Sequence, residues 1–359
     1  MTTFLRRTIA KLSSDDILMG ANQMGANQEN SKLLWSDEAD ERVRYGRGFH
    51  WVESPIVLGY INRNITGDAR LNWVEYSAAK YMRKVGSPRI LSLGCGGGAG
   101  ERDLVRLIPD AVVTGLDFSP GAIALASARA REEGFAIEYR IADLNEVTLE
   151  PGSFDFVFAS SALHHVAKLE HILEQVRRCL KPHGKLIAND YVGPNQLQWT
   201  SAQVEAINEI LALLPDRYRR RVSDPAQYKR EFLGPGKIED MNRLDPTEAV
   251  RAQDIVPLTR KMFHLLEFKP FGGTLLHMLL QDILGNFHPA DETDTCVLKL
   301  ICHVELKLIA TGALPSDFAY FVAELPHGTH EINGPPIGRA WPLPIAGILR
   351  RAMYWGRRK

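Results

Sequence analysis

The sequence predicts an α/β protein built on a doubly wound, mostly parallel seven-stranded sheet. From Arg89 to about residue 192, short apolar runs alternate with helical segments, which is the pattern of parallel strands joined by helices. Glycines follow the first apolar run at alternate positions, Gly94, Gly96 and Gly98. Two later apolar runs, separated by helices, would complete the sheet. A helical N-terminal extension and a helical lid insertion are predicted in addition.

The elements up to the fifth strand are predicted in order. Residues 1–48 are polar and weakly patterned, and we expect a flexible segment there. Residues 49–86 form a helical preamble, since apolar residues recur at helical spacing. Ser119-Pro120 is a good helix start, and Lys181 to Gly184 is a good helix stop. Strands are predicted at 90–93, 111–116, 137–142, 154–159 and 185–192, and helices at 99–108, 120–133 and 168–180.

The strand–helix alternation then breaks over residues 193–262, which we expect to form a lid insertion above the ligand edge. Thr200 and Gln203 make a capping box that opens a helix reaching Leu214. The last predicted elements are strands at 264–271 and 318–324, with helices at 274–286 and 294–311 between them. They end a domain of residues 49–325. Residues 326–359 form a proline-containing tail with six basic residues after Glu331 and no acidic one.

Composition excludes several classes of protein. The 359 residues include 43 basic and 43 acidic ones, and this balance argues against a general nucleic-acid binder. The four cysteines have no CxxC pair and no zinc-ligand spacing, so we expect reduced thiols and no metal site. No apolar run approaches the length of a membrane span, and the N-terminus lacks the apolar region of a secretory signal. We therefore expect a soluble, cytoplasmic protein.

The glycine-rich segment indicates a nucleoside-binding site. The strand Ile90 to Leu93, the glycines, a helix and a second strand ending in Asp117 form half of a nucleotide-binding unit. Glycines let the backbone approach a ligand closely, and a carboxylate about 20 residues on can bind both hydroxyls of a ribose. Because Gly94, Gly96 and Ala99 also fit the dinucleotide pattern, an NAD(P)-dependent oxidoreductase is an alternative.

Five runs in order carry a family resemblance: ILSLGCGGG, TGLDFSP, IADL, FDFVFASSALHHV and CLKPHGKLIANDY. Together they resemble the motif set of the class I S-adenosylmethionine-dependent methyltransferases. The resemblance covers about residues 88–192 through motifs and extends to about 325 through strand pattern alone. It implies a Rossmann-like fold, S-adenosyl-L-methionine as cofactor, and methyl transfer as the activity.

The resemblance also implies a set of cofactor-binding residues. Asp117 would hold the ribose hydroxyls, with Phe118 against the adenine, and Asp143 would accept a hydrogen bond from the adenine amino group. The family usually has an acidic residue two positions before the first glycine, where this chain has Ser92. The complete set is Gly94, Cys95, Gly96, Gly98, Asp117, Phe118, Asp143, Leu144 and Ser160.

Catalytic candidates follow the fourth and fifth strands. The cofactor carries the activated methyl group, so the protein must align an acceptor and remove a proton if the nucleophile is a hydroxyl. His164 and His165 come after the fourth strand and Asp190 ends the fifth, at the edge where such sheets bind ligands. Each has a structural alternative: a turn cap, packing against the cofactor, or a structural carboxylate. His277 and Asp282 are weaker candidates for acceptor binding.

The sequence therefore predicts methyl transfer to an oxygen or nitrogen of a small molecule, such as a sugar, a lipid-linked glycan or a natural product. Besides the oxidoreductase, a non-catalytic S-adenosylmethionine-binding module and a protein methyltransferase stay open. The segment SSAL at 160–163 lacks the double-proline motif of enzymes that methylate amino groups of DNA bases.

The arginines between 217 and 221 would meet an anionic acceptor or form a solvated helix end. The basic tail, with its aromatic residues, suits peripheral contact with a membrane. The sequence leaves the oligomeric state open.

Overall fold

The computed structural model describes residues 48–326, which form one seven-stranded sheet with helices on both faces. The strand order is β3-β2-β1-β4-β5-β7-β6, and β7 is antiparallel to β5 and β6 while the other neighbours are parallel. This confirms the predicted fold class. The strands are β1 Arg89–Leu93, β2 Val112–Asp117, β3 Glu138–Ile141, β4 Phe154–Ser160, β5 Leu180–Tyr191, β6 His264–Gly272 and β7 Phe318–Glu324.

Helices precede the sheet, connect its strands and fill the insertion. They are α1 Pro55–Thr66, α2 Trp73–Ser77, α3 Ala99–Leu107, α4 Pro120–Glu132, α5 Leu169–Cys179, α6 Ser201–Leu213, α7 Asp216–Arg219, α8 Ile238–Leu244, α9 Ile255–Met262, α10 Leu276–Leu280 and α11 Glu292–Ala310. The predicted flexible segment and almost all of the basic tail lie outside the described residues.

The helix starts read from the sequence are present. The Ser119 hydroxyl accepts a hydrogen bond from the Ala122 amide at 3.3 Å, with Pro120 in the first helical position of α4. Thr200 and Gln203 form the predicted capping box of α6. Each side chain satisfies an amide that the helix itself leaves unpaired, which is why these short patterns locate helix starts well.

Two predicted boundaries are wrong. The helix predicted over 274–286 is only α10 followed by a 3-10 turn at Leu284–Asn286, because the backbone leaves helical geometry at Gln281 (φ −54°, ψ 129°) and at Asp282 (φ 66°). Buried Glu305 accepts the amides of Gly273, Leu275 and Leu276 at the start of α10. Strand β5 begins at Leu180, before the predicted helix stop rather than after it. Its pairing with β4 is irregular there, and His183 has a φ of 66°.

Apolar side chains fill both faces of the sheet. On β1, Ile90 packs into the cluster on one face, and Leu91 and Leu93 into the cluster on the other, as strand alternation requires. The order of strands reverses between β1 and β4, so the carboxyl ends of these two strands flank the topological switch point at which ligands bind. None of the helices within residues 48–326 is both long enough and apolar enough to cross a membrane.

Candidate active site at the switch point

The glycine loop after β1 is a tight turn of left-handed residues. Gly94, Gly96 and Gly98 have φ values of 63°, 50° and 76°. The Cys95 amide donates to the Leu116 carbonyl at 2.9 Å, and the Gly98 amide donates to the Cys95 carbonyl at 3.0 Å. Left-handed backbone is costly for residues with a Cβ, so the loop needs glycine at these positions.

The three glycines face different surroundings. A Cβ on Gly94 would lie 2.6 Å from the Cβ of Ala162, and one on Gly98 would lie 2.5 Å from the hydroxyl of Tyr139. A Cβ on Gly96 would meet nothing within 4 Å. The loop is thus packed tightly at both ends and open in the middle, where a ligand can approach the backbone.

Asp117 is fixed against this loop. Its Oδ2 accepts the Gly96 amide and its Oδ1 accepts the Ser119 amide, both at 2.9 Å. The residue is 8% exposed, and burial raises the pKa of its carboxyl despite the amides that favour the charged form. Each carboxylate oxygen keeps a second acceptor position, so the predicted contact with two hydroxyls is compatible with this geometry.

The other predicted cofactor residues lie around the same edge with less decisive geometry. Asp143 is exposed and accepts hydrogen bonds from the amide and side chain of Asn145, at 2.8 and 2.9 Å. Phe118 is half-buried, Leu144 is buried, and Ser160 is exposed at the end of β4. Their contacts with a cofactor stay a prediction.

His164 and Asp190 form a buried dyad. Oδ1 of Asp190 lies 2.5 Å from His164 Nδ1, and its Oδ2 accepts the amides of Ala162 and Leu163 at 3.0 and 2.8 Å. Burial lowers the pKa of His164, but the charge and hydrogen bond of Asp190 and the charges of Glu248 and Asp245 outweigh it and raise that pKa overall. Asp190 is fully buried and is held by two amides, so its contact with Nδ1 can orient the imidazole.

Part of the 193–262 segment lies on this dyad. The Val250 amide donates to the His164 carbonyl at 3.1 Å, and His165 Nδ1 lies 3.1 Å from the Thr247 hydroxyl. Glu248 Oε1 lies 3.8 Å from His164 Nε2. This segment therefore contacts the turn after β4, and its role as a lid stays a prediction.

The same contacts create a set of potential metal ligands. Side-chain donor atoms of His164, His165 and Glu248 all lie within 4.8 Å of one another. Asp190 and Thr247 hold one nitrogen of each imidazole, as outer partners of metal-binding histidines do. The sequence predicts no metal site, because its cysteines have no zinc-ligand spacing; Glu248 plays no part in that prediction.

Comparison with known proteins identifies the domain. A family model described as a methyltransferase domain matches residues 91–188. Residues 91–188 of this chain thus match a methyltransferase domain, in agreement with the class I S-adenosylmethionine-dependent family that the motifs resemble. The match covers the glycine loop, Asp117 and the His164 turn, and it favours S-adenosylmethionine over a nicotinamide cofactor.

Relatives and solved structures place this methyltransferase domain in context. A ubiquinone biosynthesis O-methyltransferase of Xanthomonas euvesicatoria is 33% identical over 117 residues, 32% of this chain and 48% of that protein. One of Pseudomonas aeruginosa is 29% identical over 191 residues, 53% of this chain and 74% of that protein. The chain thus spans only about half of the first of these relatives. A Haemonchus contortus phosphoethanolamine N-methyltransferase 2 in complex with S-adenosyl-L-methionine has a TM-score of 0.42 at 19% identity, covering 82% of this chain and 60% of that one.

The loop of the methyltransferase domain fits S-adenosylmethionine, the cofactor of this family. The open space beside Gly96 gives backbone access, and Asp117 supplies an anchored carboxylate for hydroxyl groups. These residues, with Cys95 and the half-buried ring of Phe118, would hold the cofactor. When bound, it supplies a methyl group on a positively charged sulfur, ready for displacement.

The weaker candidates for acceptor binding make contacts within the fold. Asp282 accepts hydrogen bonds from Arg221 and from the amide and hydroxyl of Ser223. His277 is buried against Trp51, and burial lowers its pKa to about 4. Arg217 is paired with a carboxylate, as are Arg219 and Arg221, which accounts for these arginines without an anionic acceptor.

Sequence reasoning missed one buried pair in the methyltransferase domain. The Ser92 hydroxyl donates to Oε1 of Glu101, in the first turn of α3. Glu101 Oε2 is buried without a hydrogen-bond partner. The sequence signal was present, because Ser92 stands where the family has an acid and Glu101 is the next acidic residue along the chain.

Proposed function

We propose that this protein transfers a methyl group from S-adenosylmethionine to a hydroxyl oxygen of a small molecule, with His164 as general base. The observation that carries the proposal is the buried His164–Asp190 dyad beside the glycine loop. Asp190 holds Nδ1 of the imidazole, which leaves Nε2 as the nitrogen that would take a proton. The names of the O-methyltransferase relatives also favour an oxygen acceptor.

Asp190 and the 245–250 segment would assist His164 in the proposed reaction. Asp190 fixes the tautomer and the ring plane of His164, and its charge stabilises the imidazolium that forms when the acceptor loses its proton. The 245–250 segment covers the dyad and limits the access of water. Holding acceptor and cofactor in line would supply much of the rate, and a base of this kind typically adds about 10²–10⁴-fold.

The acceptor is proposed to be a small molecule, with a sugar, a lipid-linked glycan and a natural product as candidates. Equal numbers of acidic and basic residues support this over a nucleic acid. Nitrogen methylation and a non-catalytic module are the competing proposals. We also propose a cytoplasmic location, which is supported by the four cysteines remaining thiols.

The test replaces His164 by Gln and measures methyl transfer from radiolabelled S-adenosylmethionine to hydroxyl- and amine-bearing compounds and extract fractions. We expect the wild type to label hydroxyl compounds, and His164→Gln to bind the cofactor normally while transferring at least about 100-fold more slowly. His264→Gln is the matched control, because His264 is exposed at the first residue of β6, on the edge of the sheet opposite the ligand edge. If His164→Gln transferred methyl groups within tenfold of the wild-type rate, His164 would not be the general base. If only amines were labelled, the acceptor atom would be nitrogen and not oxygen.

Peripheral membrane contact through the basic tail is a separate proposal, supported by six basic residues and no acidic one after Glu331. A chain ending at residue 326 should bind anionic vesicles more weakly than the full chain. Equal vesicle binding by the two chains would rule the contact out.

A further inference from the structure

The strongest unexplained feature near the cofactor loop is the buried carboxyl of Glu101. The residue is 2% exposed, one oxygen accepts the Ser92 hydroxyl, and the other has no hydrogen-bond partner. Leaving a buried carboxyl oxygen without a hydrogen bond is unfavourable, so the presence of a carboxyl group at position 101 requires an explanation.

The surroundings of Glu101 connect it to the cofactor site. Charged or titratable groups that act on it lie on its own helix (Arg102), in the glycine loop (Cys95), at the end of β2 (Asp117) and on β3 (Tyr139). Arg102 does not neutralise it directly, since Nη1 donates to the Gly97 carbonyl at 2.8 Å and Nε lies 3.0 Å from Glu133.

We propose that Glu101 is a positioning residue of the cofactor site that supplies, from the first turn of α3, the acidic function that this family usually has at position 92. Its carboxyl interacts electrostatically with Cys95 of the loop and with Asp117, and its negative charge would attract the ammonium group at the methionine end of S-adenosylmethionine. The proposal rests on the proposed function only in taking S-adenosylmethionine as the ligand. The Ser92 hydroxyl orients the carboxyl, so the Ser92–Glu101 pair replaces a single acidic side chain on the strand.

The charge state of Glu101 gives the proposal a signature in pH. Burial, first among several influences, raises its pKa to about 7. A cation bound near it favours the ionised form, so cofactor affinity should rise as pH increases from 6 to 8. Of the groups that face Glu101, Cys95 and Tyr139 have raised pKa values. The pKa of the Asp117 carboxyl is also raised, so the comparison with a Glu101 variant is what assigns the effect.

The experiment measures calorimetric affinities for three probes: S-adenosylmethionine, S-adenosylhomocysteine and methylthioadenosine. The last lacks the amino-acid end. In Glu101→Gln we expect the first two to bind about 10- to 100-fold more weakly, as for the loss of one interaction with a charged group, and methylthioadenosine to bind within about twofold of wild type. The matched control is Glu132→Gln, which makes the same change at an exposed position on α4.

A second pair of variants and the wild type keep the proposal falsifiable if Glu101→Gln folds poorly. Glu101→Ser should lose affinity, and adding Ser92→Asp to it should restore most of the loss. In the wild type, affinity for S-adenosylhomocysteine should rise between pH 6 and 8 more steeply than affinity for methylthioadenosine.

Equal weakening of all three probes, unchanged affinities, a loss confined to S-adenosylmethionine, failed rescue or a flat pH profile would each overturn the assignment. These outcomes concern binding alone. They are therefore distinguishable from failure of the proposed transfer reaction, which would leave the affinities unaffected.

Discussion

Two left-handed glycines of the cofactor loop and one outside it make a graded test of the site. Substituting alanine at Gly94, Gly96 or Gly134 adds one methyl group at a φ of 63°, 50° or 75°, respectively. Gly134 follows α4, away from the loop, and a Cβ there would meet nothing within 4 Å. The backbone penalty of about 1–2 kcal/mol is similar at all three positions, and about 0.4–1 kcal/mol returns through the less flexible unfolded chain. Gly134→Ala should therefore cost about 1 kcal/mol of the free energy of unfolding.

The surroundings then separate the other two variants. A Cβ at Gly94 would lie 2.6 Å from the Cβ of Ala162, so a forced shift adds about 1–3 kcal/mol, giving about 2–4 in total. A Cβ at Gly96 points into open space, so Gly96→Ala should cost no more stability than Gly134→Ala. That methyl group would, however, occupy the side from which a ligand approaches. We expect Gly96→Ala to lose cofactor affinity by at least about tenfold, the effect of roughly 1.4 kcal/mol.

Urea unfolding and calorimetric titration with S-adenosylmethionine measure the two quantities separately. Gly134→Ala serves as the control for the backbone penalty and should bind the cofactor like wild type. The reasoning is refuted if Gly96→Ala binds the cofactor as tightly as Gly134→Ala does. It is also refuted if Gly94→Ala is as stable as Gly134→Ala, because the close contact with Ala162 would then have no consequence.

Three further predictions concern protonation and metal ions. The transfer rate at saturating cofactor should fall as pH drops through the raised pKa of His164, because the base must be neutral, and a rate that stays constant down to pH 5 would contradict this. His277 has a pKa of about 4 in the fold against 6.5 when unfolded. Its effect on the free energy of unfolding is therefore constant above pH 6.5, and the fold loses stability as pH falls from 6.5 towards 4, because the unfolded chain takes up the proton first. The loss is up to about 3 kcal/mol; urea unfolding at pH 4 and 7 should show it in the wild type but not in His277→Leu. Chelators should leave the transfer rate unchanged, whereas excess Zn²⁺ should inhibit transfer by binding His164, His165 and Glu248. If transfer required a metal ion, these residues would be metal ligands and His164 would not be the general base.

The sequence predicted what depends on neighbours in the chain. Strand alternation, the helix starts at Ser119 and Thr200 and the glycine loop are all local patterns, and each lies where it was expected. The 274–286 helix failed for the opposite reason. The helix ends where Asp282 has a φ of 66°, and the Asp282 carboxylate accepts hydrogen bonds from Arg221 and Ser223, about 60 residues earlier in the sequence. No local pattern could reveal those contacts.

In the candidate site, too, the residues near local motifs were predicted from the sequence, and those placed by tertiary packing were not. Asp117 lies beside the glycine loop because it ends the neighbouring strand, and His164 lies beside Asp190 because one follows β4 and the other is near the end of β5, which pairs with β4. Thr247 and Glu248 were missed, since they reach the two histidines from an insertion more than 80 residues away. Their positions depend on how the insertion folds over the sheet edge, and this is set by tertiary packing.

One short turn links the cofactor loop to the proposed base. Asp190 holds the amides of Ala162 and Leu163 through one oxygen and His164 through the other, and Ala162 is the residue against which Gly94 packs. Removing the charge at residue 190 should therefore weaken both cofactor binding and transfer, whereas removing the imidazole should weaken transfer alone.

Asp190→Asn keeps the size of the side chain but disturbs the hydrogen bonds at its buried oxygens, a change that commonly costs about 1–3 kcal/mol each for an unsatisfied group. Measured side by side, Asp190→Asn should lower cofactor affinity and transfer rate together, and His164→Gln only the rate. If both variants bound the cofactor like wild type, the turn would position only the base. The contact between Gly94 and Ala162 would then be simple packing, and the loop and the dyad would be independent parts of the site.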